Sequence, residues 1–285
     1  MLKPTQVEQV MECVFKTYSH IDSGCCKQNQ TGELKTCVEC ERKSFLDNDI
    51  QKYACSNYQR VYLIRTFPAQ LALTNKIVES HKSLLVPLMS GRKRYLTAVS
   101  YGGGPGTDLV CLVHNLAASD DIIDFRFDNL DIPAWKHIYE ALAGILSAKC
   151  KDINVQFITK FKPQDVRVKR IYERARRDII FISWVFSHLS EIDIANAIRN
   201  AYHNSQPTGT ILIAHRIEKR VIDMVNAGIE ALYKPPVSDL PVIQQDEAEF
   251  SCEVEFPEDI KRRYEPRLKY KTHYWIIQHP KKHWM

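Results

Sequence analysis

The chain has 285 residues, 45% of them hydrophobic, with 39 basic against 34 acidic side chains and a net charge of +5. That size supports one full core with an appendage, or two small domains, and the mixed charge permits an anionic partner without demanding one. No run of about 18 apolar residues offers a membrane span, and Met1-Leu2-Lys3-Pro4-Thr5-Gln6 lacks a signal-peptide core, so an intracellular protein, cytoplasmic or nuclear, with no membrane partner is expected.

From Thr5 to Tyr18, Val7, Val10, Met11, Val14 and Phe15 recur at helical spacing. Between residues 20 and 57 the chain turns polar, and five of its nine cysteines (Cys25, Cys26, Cys37, Cys40 and Cys55) fall there. The two-residue gap in Cys37-Val38-Glu39-Cys40 suits paired thiolates on one tetrahedral ion. A structural zinc on Cys26 (or its neighbour Cys25), Cys37, Cys40 and Cys55 therefore competes with free thiols in a cysteine-rich insertion and with redox pairing. From Tyr58 to Ser80 a helical pattern returns, broken or restarted at Pro68.

Next comes the most informative stretch, Ala98-Val99-Ser100-Tyr101-Gly102-Gly103-Gly104-Pro105-Gly106-Thr107-Asp108. A strand that ends in clustered glycines and restarts as a helix near Thr107 marks a tight turn built around a ligand, with free helix amides facing it. A P-loop is excluded because no lysine follows until Lys136, and a dinucleotide fingerprint is matched incompletely because its third glycine position is Thr107. Gly102, Gly104 and Gly106 satisfy Gly-x-Gly-x-Gly, and the stretch resembles the first motif of class I S-adenosylmethionine (SAM)-dependent methyltransferases. The family pattern usually has an acid two residues before the first glycine, where this chain has Ser100.

The remaining chain alternates strand and helix patterns: strands at 122–127, 153–159, 178–184 and 209–215, helices at 132–148, 190–202 and 217–233. Two apolar runs, 251–256 and 273–278, close the chain around the basic stretch from Lys261 to Lys271, and 234–245 reads as a loop. The resemblance, covering roughly residues 60 to 280, implies an α/β, Rossmann-like seven-stranded sheet flanked by helices. The expected division is an N-terminal helical, cysteine-rich extension over 1–80 and a methyltransferase-like domain over 81–285. It also implies that helices before the first strand roof the cofactor.

An open α/β sheet binds ligands at the carboxyl ends of its strands, so SAM contacts are expected there. The first end offers Tyr101, Gly102, Gly103, Gly104, Gly106 and Thr107, with Asp108 either a cofactor contact or a helix-start residue. The second offers Asp128 for the ribose hydroxyls, with Asp124 and Asp131 as rivals, and Asn129 for the adenine pocket. The third offers Asp165, and the fourth Ser183 and Trp184, followed by His188 as a candidate general base. Nothing at 183–188 matches the motif of base-amine methyltransferases or supplies a nucleophilic cysteine. The acceptor is not legible; RNA or protein is slightly favoured over a small molecule. A catalytically silent scaffold with this fold is the alternative, and a nicotinamide-linked oxidoreductase a weaker one.

Overall fold

The computed structural model describes residues 12–14, 16–17, 37–47, 50–85, 95–116, 124–149, 156–171, 175–233, 241–251, 256–267 and 269–279. Helices α1 (Cys37–Asp47), α2 (Ser56–Arg65) and α3 (Phe67–Ser80) precede strand β1 (Tyr95–Tyr101). Then follow α4 (Thr107–Leu116), β2 (Asp124–Asp131), α5 (Lys136–Lys149), β3 (Gln156–Pro163) and β4 (Arg177–Ser183). The chain continues with α6 (Glu191–Asn204), β5 (Ser205–Arg216), α7 (Lys219–Glu230), β6 (Val242–Ser251), α8 (Glu258–Tyr264) and β7 (Lys269–Gln278). The first helix expected, 5–18, lies mostly outside the described residues, as do Cys25 and Cys26.

The strands form one seven-stranded sheet in the order β3-β2-β1-β4-β5-β7-β6. β1 to β5 are parallel, and β7 inserts antiparallel between β5 and β6. The central strands read as continuous apolar runs because both faces are covered: every residue of β4 is buried. Pro68 opens α3 at its first turn, where a missing N–H costs nothing, so the pattern from 58 to 80 becomes two helices. Ser190 caps α6 with a reciprocal Ser190–Asp193 capping box.

Three strands depart from expectation. β2 ends at Asp131 rather than near 127, β3 ends at Pro163 rather than 159, and β6 spans Val242–Ser251, overlapping the expected loop rather than the run at 251–256. β6 is the sheet edge, and Gln244 to Glu247 are all exposed, so it lacks the apolar pattern that reveals a strand.

The helices before β1 share a core with the sheet. Phe67, Leu71, Ile77 and Val78 of α3 join Leu109 to Val113 of α4 and Phe125 and Phe127 of β2 in one buried cluster. Each such side chain contributes about 1.5–3 kcal/mol of burial, which is ample to hold α2 and α3 against the sheet's carboxyl end.

Candidate functional site

At the end of β1 the chain turns through Gly102, Gly104 and Gly106, with φ of 72°, 53° and 108°. Gly102 N–H donates to Leu130 O (2.7 Å) and Gly106 N–H to Gly103 O (2.9 Å), which pins the turn to β2 and closes it on itself. A side chain at Gly103 would collide with Ser100 and Asn129 behind the turn, whereas one at Gly104 would meet nothing within 4 Å. The backbone of Gly104 thus forms an open concavity that a ligand can approach closely.

Ser100 is 1% exposed and donates to Asp108 Oδ2 at 2.5 Å. Asp108, on the first turn of α4, therefore supplies a carboxylate behind the glycines, beside the serine that replaces the usual acid. Burial pushes its pKa up to about 6, against hydrogen bonds from Ser100 and Ser183 that favour the ionised form.

The carboxylate that faces the cavity after β2 is Asp131, not Asp128. Asp131 Oδ2 accepts the Gly104 N–H (2.5 Å) and its Oδ1 the Ile132 N–H (2.6 Å), while burial pushes its pKa up to about 7. Asp128 lies within the strand, fully buried, and meets Lys162 (2.9 Å), Arg177 (2.5 Å) and Arg126 (3.2 Å). Burial opposes its ionisation, but hydrogen bonds from Lys162 and Arg126 prevail and hold its pKa below the ordinary carboxylate value. The expectation placed the strand end too early, because 128–131 continues the strand as buried, sheet-paired residues. Asn129 is also buried and donates to Gly104 O (3.0 Å), propping the turn from beneath rather than lining an adenine pocket. Asp124, the other rival, begins the strand and stands at the opposite end of the sheet from the cavity.

These ends open into a cavity that is partly open to solvent. Gly102, Gly103, Gly104, Thr107, Asp108, Asp165, Ser183, Trp184 and His188 line it, as expected from the sequence, while Tyr101, Gly106, Asp128 and Asn129 do not. Tyr101 is fully buried, its hydroxyl accepting from Asn204 Nδ2 (3.0 Å). Asp165 is held by Arg167 (Nε to Oδ2, 2.9 Å), and that partner lowers its pKa.

The cavity's other wall is made of side chains the sequence did not single out: Tyr53, Tyr62 and Gln70 from the N-terminal helical segment and Trp135 after β2. Tyr53 and Tyr62 both pack against Trp135, with ring centroids 5.3 and 5.2 Å apart. Gln59 ties this roof down by donating to Tyr53 O and Ala134 O, each at 2.7 Å. Tyr53 Oη lies 3.0 Å from His188 Nε2. Burial raises the pKa of Tyr53, so its hydroxyl stays protonated.

The segment after β4 is held on both sides. Trp184 has φ of 64°, rare for a bulky residue, and its indole donates to Thr74 Oγ1 of α3 (3.2 Å). Buried His215 accepts the Ser187 N–H at Nε2 (3.1 Å), and its Nδ1 is 3.0 Å from Arg216 O. Burial lowers its pKa to about 4, so it stays neutral and fixes the 186–188 turn that carries His188.

Among the described residues no three His, Cys, Asp or Glu side chains group around a common point. Cys40 is buried in the main core cluster and Cys55 packs against it, whereas Cys37 packs on a separate cluster around Val61 and Tyr264. The two-residue gap places Cys37 and Cys40 one turn apart on α1, and hydrophobic packing claims them separately. Cys26 lies outside the described residues. No described helix is long and apolar enough to cross a membrane.

The chain matches no family model and no curated protein. Among solved structures it aligns with a Listeria monocytogenes protein provisionally assigned as a class I S-adenosylmethionine-dependent methyltransferase. That alignment has a TM-score of 0.55 and 8% identity, and covers 99% of this chain and 90% of the other. The chain has the class I methyltransferase fold. Two further alignments are with the plantazolicin methyltransferase BpumL in complex with a substrate analogue and SAH (TM-score 0.46, 13% identity, 88% and 98% covered) and the precorrin-6y C5,15-methyltransferase of Geobacter metallireducens (0.41, 12%, 71% and 87%). In a methyltransferase fold the glycine turn, Asp131 and the segment after β4 occupy the ligand-binding ends of adjacent strands.

Proposed function

We propose that the cavity binds SAM and that the protein transfers its methyl group to an acceptor entering beside Trp184 and His188. The observation that carries this reading is the joining of an open glycine concavity to a buried carboxylate, Gly104 N–H to Asp131 at 2.5 Å. When bound, SAM supplies an electrophilic methyl on its sulfonium, which an acceptor lone pair takes while the sulfonium becomes a thioether.

The chain's own residues have separable tasks. Asp131, ionised, accepts hydrogen bonds from a ribose diol. Ile132 and Val166 line the cavity with Asp165 and offer apolar contact to an adenine. The Tyr53 roof excludes water, which strengthens every polar contact beneath it. His188, oriented by Tyr53, takes a proton from the acceptor where one must leave. Alignment supplies much of the acceleration for an acceptor that is already nucleophilic, so His188 assists rather than decides.

Titration calorimetry with SAM and S-adenosylhomocysteine tests this. Micromolar binding by the wild type, weakened at least about a hundredfold in Asp131→Ala, is expected. Absence of binding from a folded sample refutes the reading, and binding without turnover on any acceptor converts the protein into a SAM-responsive binding module.

A further inference from the structure

One face of the sheet is covered unevenly. On one side of β2 and β3, α5 packs down, with Phe125 stacked on Phe157 (5.3 Å) and Tyr139 against Phe161 (5.7 Å). On the other side, the parallel register pairs Arg126 with Ile158, Asp128 with Lys160 and Leu130 with Lys162. A helix normally links parallel strands and covers that side. Here the described residues of the β3–β4 connection, 164–171 and 175–176, are not helical, and Ile158 is 68% exposed.

The part of this side left exposed, at Ile158 and Lys160 on the edge strand β3, is followed in the chain by a basic segment. Lys160 is exposed on β3, and the connection folds back over the same side, since Val166 and Ile171 pack in the cluster that contains Leu130. It is fastened there by Asn204 Nδ2 donating to Ile171 O at 2.9 Å. Arg167, Lys169 and Arg170 project from it into solvent. Among the described residues Lys160, Lys169 and Arg170 form no ion pair, and Arg167 lines the cavity itself.

We propose that this face docks single-stranded RNA and leads one nucleotide into the cavity. The chemistry favours a flexible polyanion. Exposed cations spread over β3 and the connection that follows it, with exposed Ile158 on the same strand as Lys160, suit a sugar-phosphate backbone with unstacked bases. Arg167, paired with Asp165, lines the cavity, whose Tyr53, Trp135 and Trp184 offer stacking surfaces to a splayed base. The docking stands independently of methyl transfer; that the nucleotide is the methyl acceptor rests on the SAM reading.

The test is fluorescence anisotropy with a labelled single-stranded RNA of about 20 nucleotides, across a salt series. Two variants are compared: Lys160→Glu/Lys169→Glu/Arg170→Glu on this face, and Lys261→Glu/Arg262→Glu/Arg263→Glu on α8 as a control of equal charge change. The first variant is expected to lose at least about tenfold in affinity and to flatten the log–log salt slope by about 2, at about 0.7 per lost phosphate contact, with the control near wild type. All substituted side chains are exposed, and a thermal melt confirms that both variants fold. No binding by the wild type overturns the proposal. So does an unaltered slope in the first variant, or binding to phosphatidylserine vesicles in preference to RNA. SAM calorimetry on the same samples separates the two readings: RNA binding without SAM binding keeps the docking face and removes the methyl-transfer reading.

Discussion

The floor and the roof of the cavity are built by different means. The floor is backbone: three glycines at positive φ and the amides of Gly104 and Ile132 aimed at Asp131. The roof is side chain: Tyr53 reaches His188 across 135 residues of sequence, and Trp184 reaches Thr74 across 110. A backbone-built site must recruit glycine and so announces itself locally. A roof of aromatic side chains uses residues that any core would use, and is assembled only by tertiary packing.

The comparison breaks first beneath the floor. Asp128 and Asp131 sit three positions apart on one strand, yet Asp128 neutralises the almost fully buried Arg177 while Asp131 faces the cavity. Asp128→Ala is expected to cost about 3–5 kcal/mol of stability, read by chemical denaturation, because it removes the carboxylate paired with a buried guanidinium. Asp131→Ala should fold with no such loss and fail in ligand binding. The reverse pattern would exchange the two roles.

Gly104→Ala is the next test. Holding alanine at φ of 53° costs about 1–2 kcal/mol, and its methyl would point into open space rather than into protein. Most of the damage should therefore appear as weakened SAM binding, beyond the modest fall in melting temperature. Gly103→Ala should do the opposite, since its methyl meets Ser100 and Asn129 behind the turn.

A pH series sharpens the floor further. Asp131 has a pKa raised to about 7, so a ligand that needs its ionised form should bind up to about tenfold more weakly for each unit below that. Stability without ligand should run the other way. A carboxyl whose folded pKa is raised contributes stability at low pH, lost as pH rises from the ordinary carboxylate value through about 7. Asp131→Asn should flatten both profiles, and calorimetry with thermal melts at pH 5.5 to 8 reads them.

The same contrast governs what could be read from the chain. The turn and the order of strands and helices are legible because each leaves a local period or a glycine cluster. Asp131 was a named rival, but strand ends are blurred where buried Asp128, Asn129 and Asp131 mimic a loop in composition. β6 was misplaced because an exposed edge strand needs no apolar residues. Pre-strand helices as a roof followed from the family resemblance, whereas Tyr53, Tyr62, Gln70 and Trp135 carried no signal of their own. A tyrosine on a helical pattern is more often plain core, and only its neighbour across the fold shows otherwise.

The smallest expected effect belongs to the roof. Tyr53→Phe removes one hydroxyl, 3.0 Å from His188 Nε2, and leaves the ring's packing on Trp135 and Tyr62 in place. Stability should change by about 0.5–1.5 kcal/mol at most, the net worth of one hydrogen bond. If the hydroxyl orients His188, turnover should fall several-fold while SAM affinity stays within about twofold, because the floor is untouched. The His188 ring resonances in an NMR titration should shift as well, a readout that a purely structural hydroxyl would not move. Equal losses in binding and turnover would mean that roof and floor act as one binding surface, and the division of labour between backbone and side chains would fail at the point where the two meet.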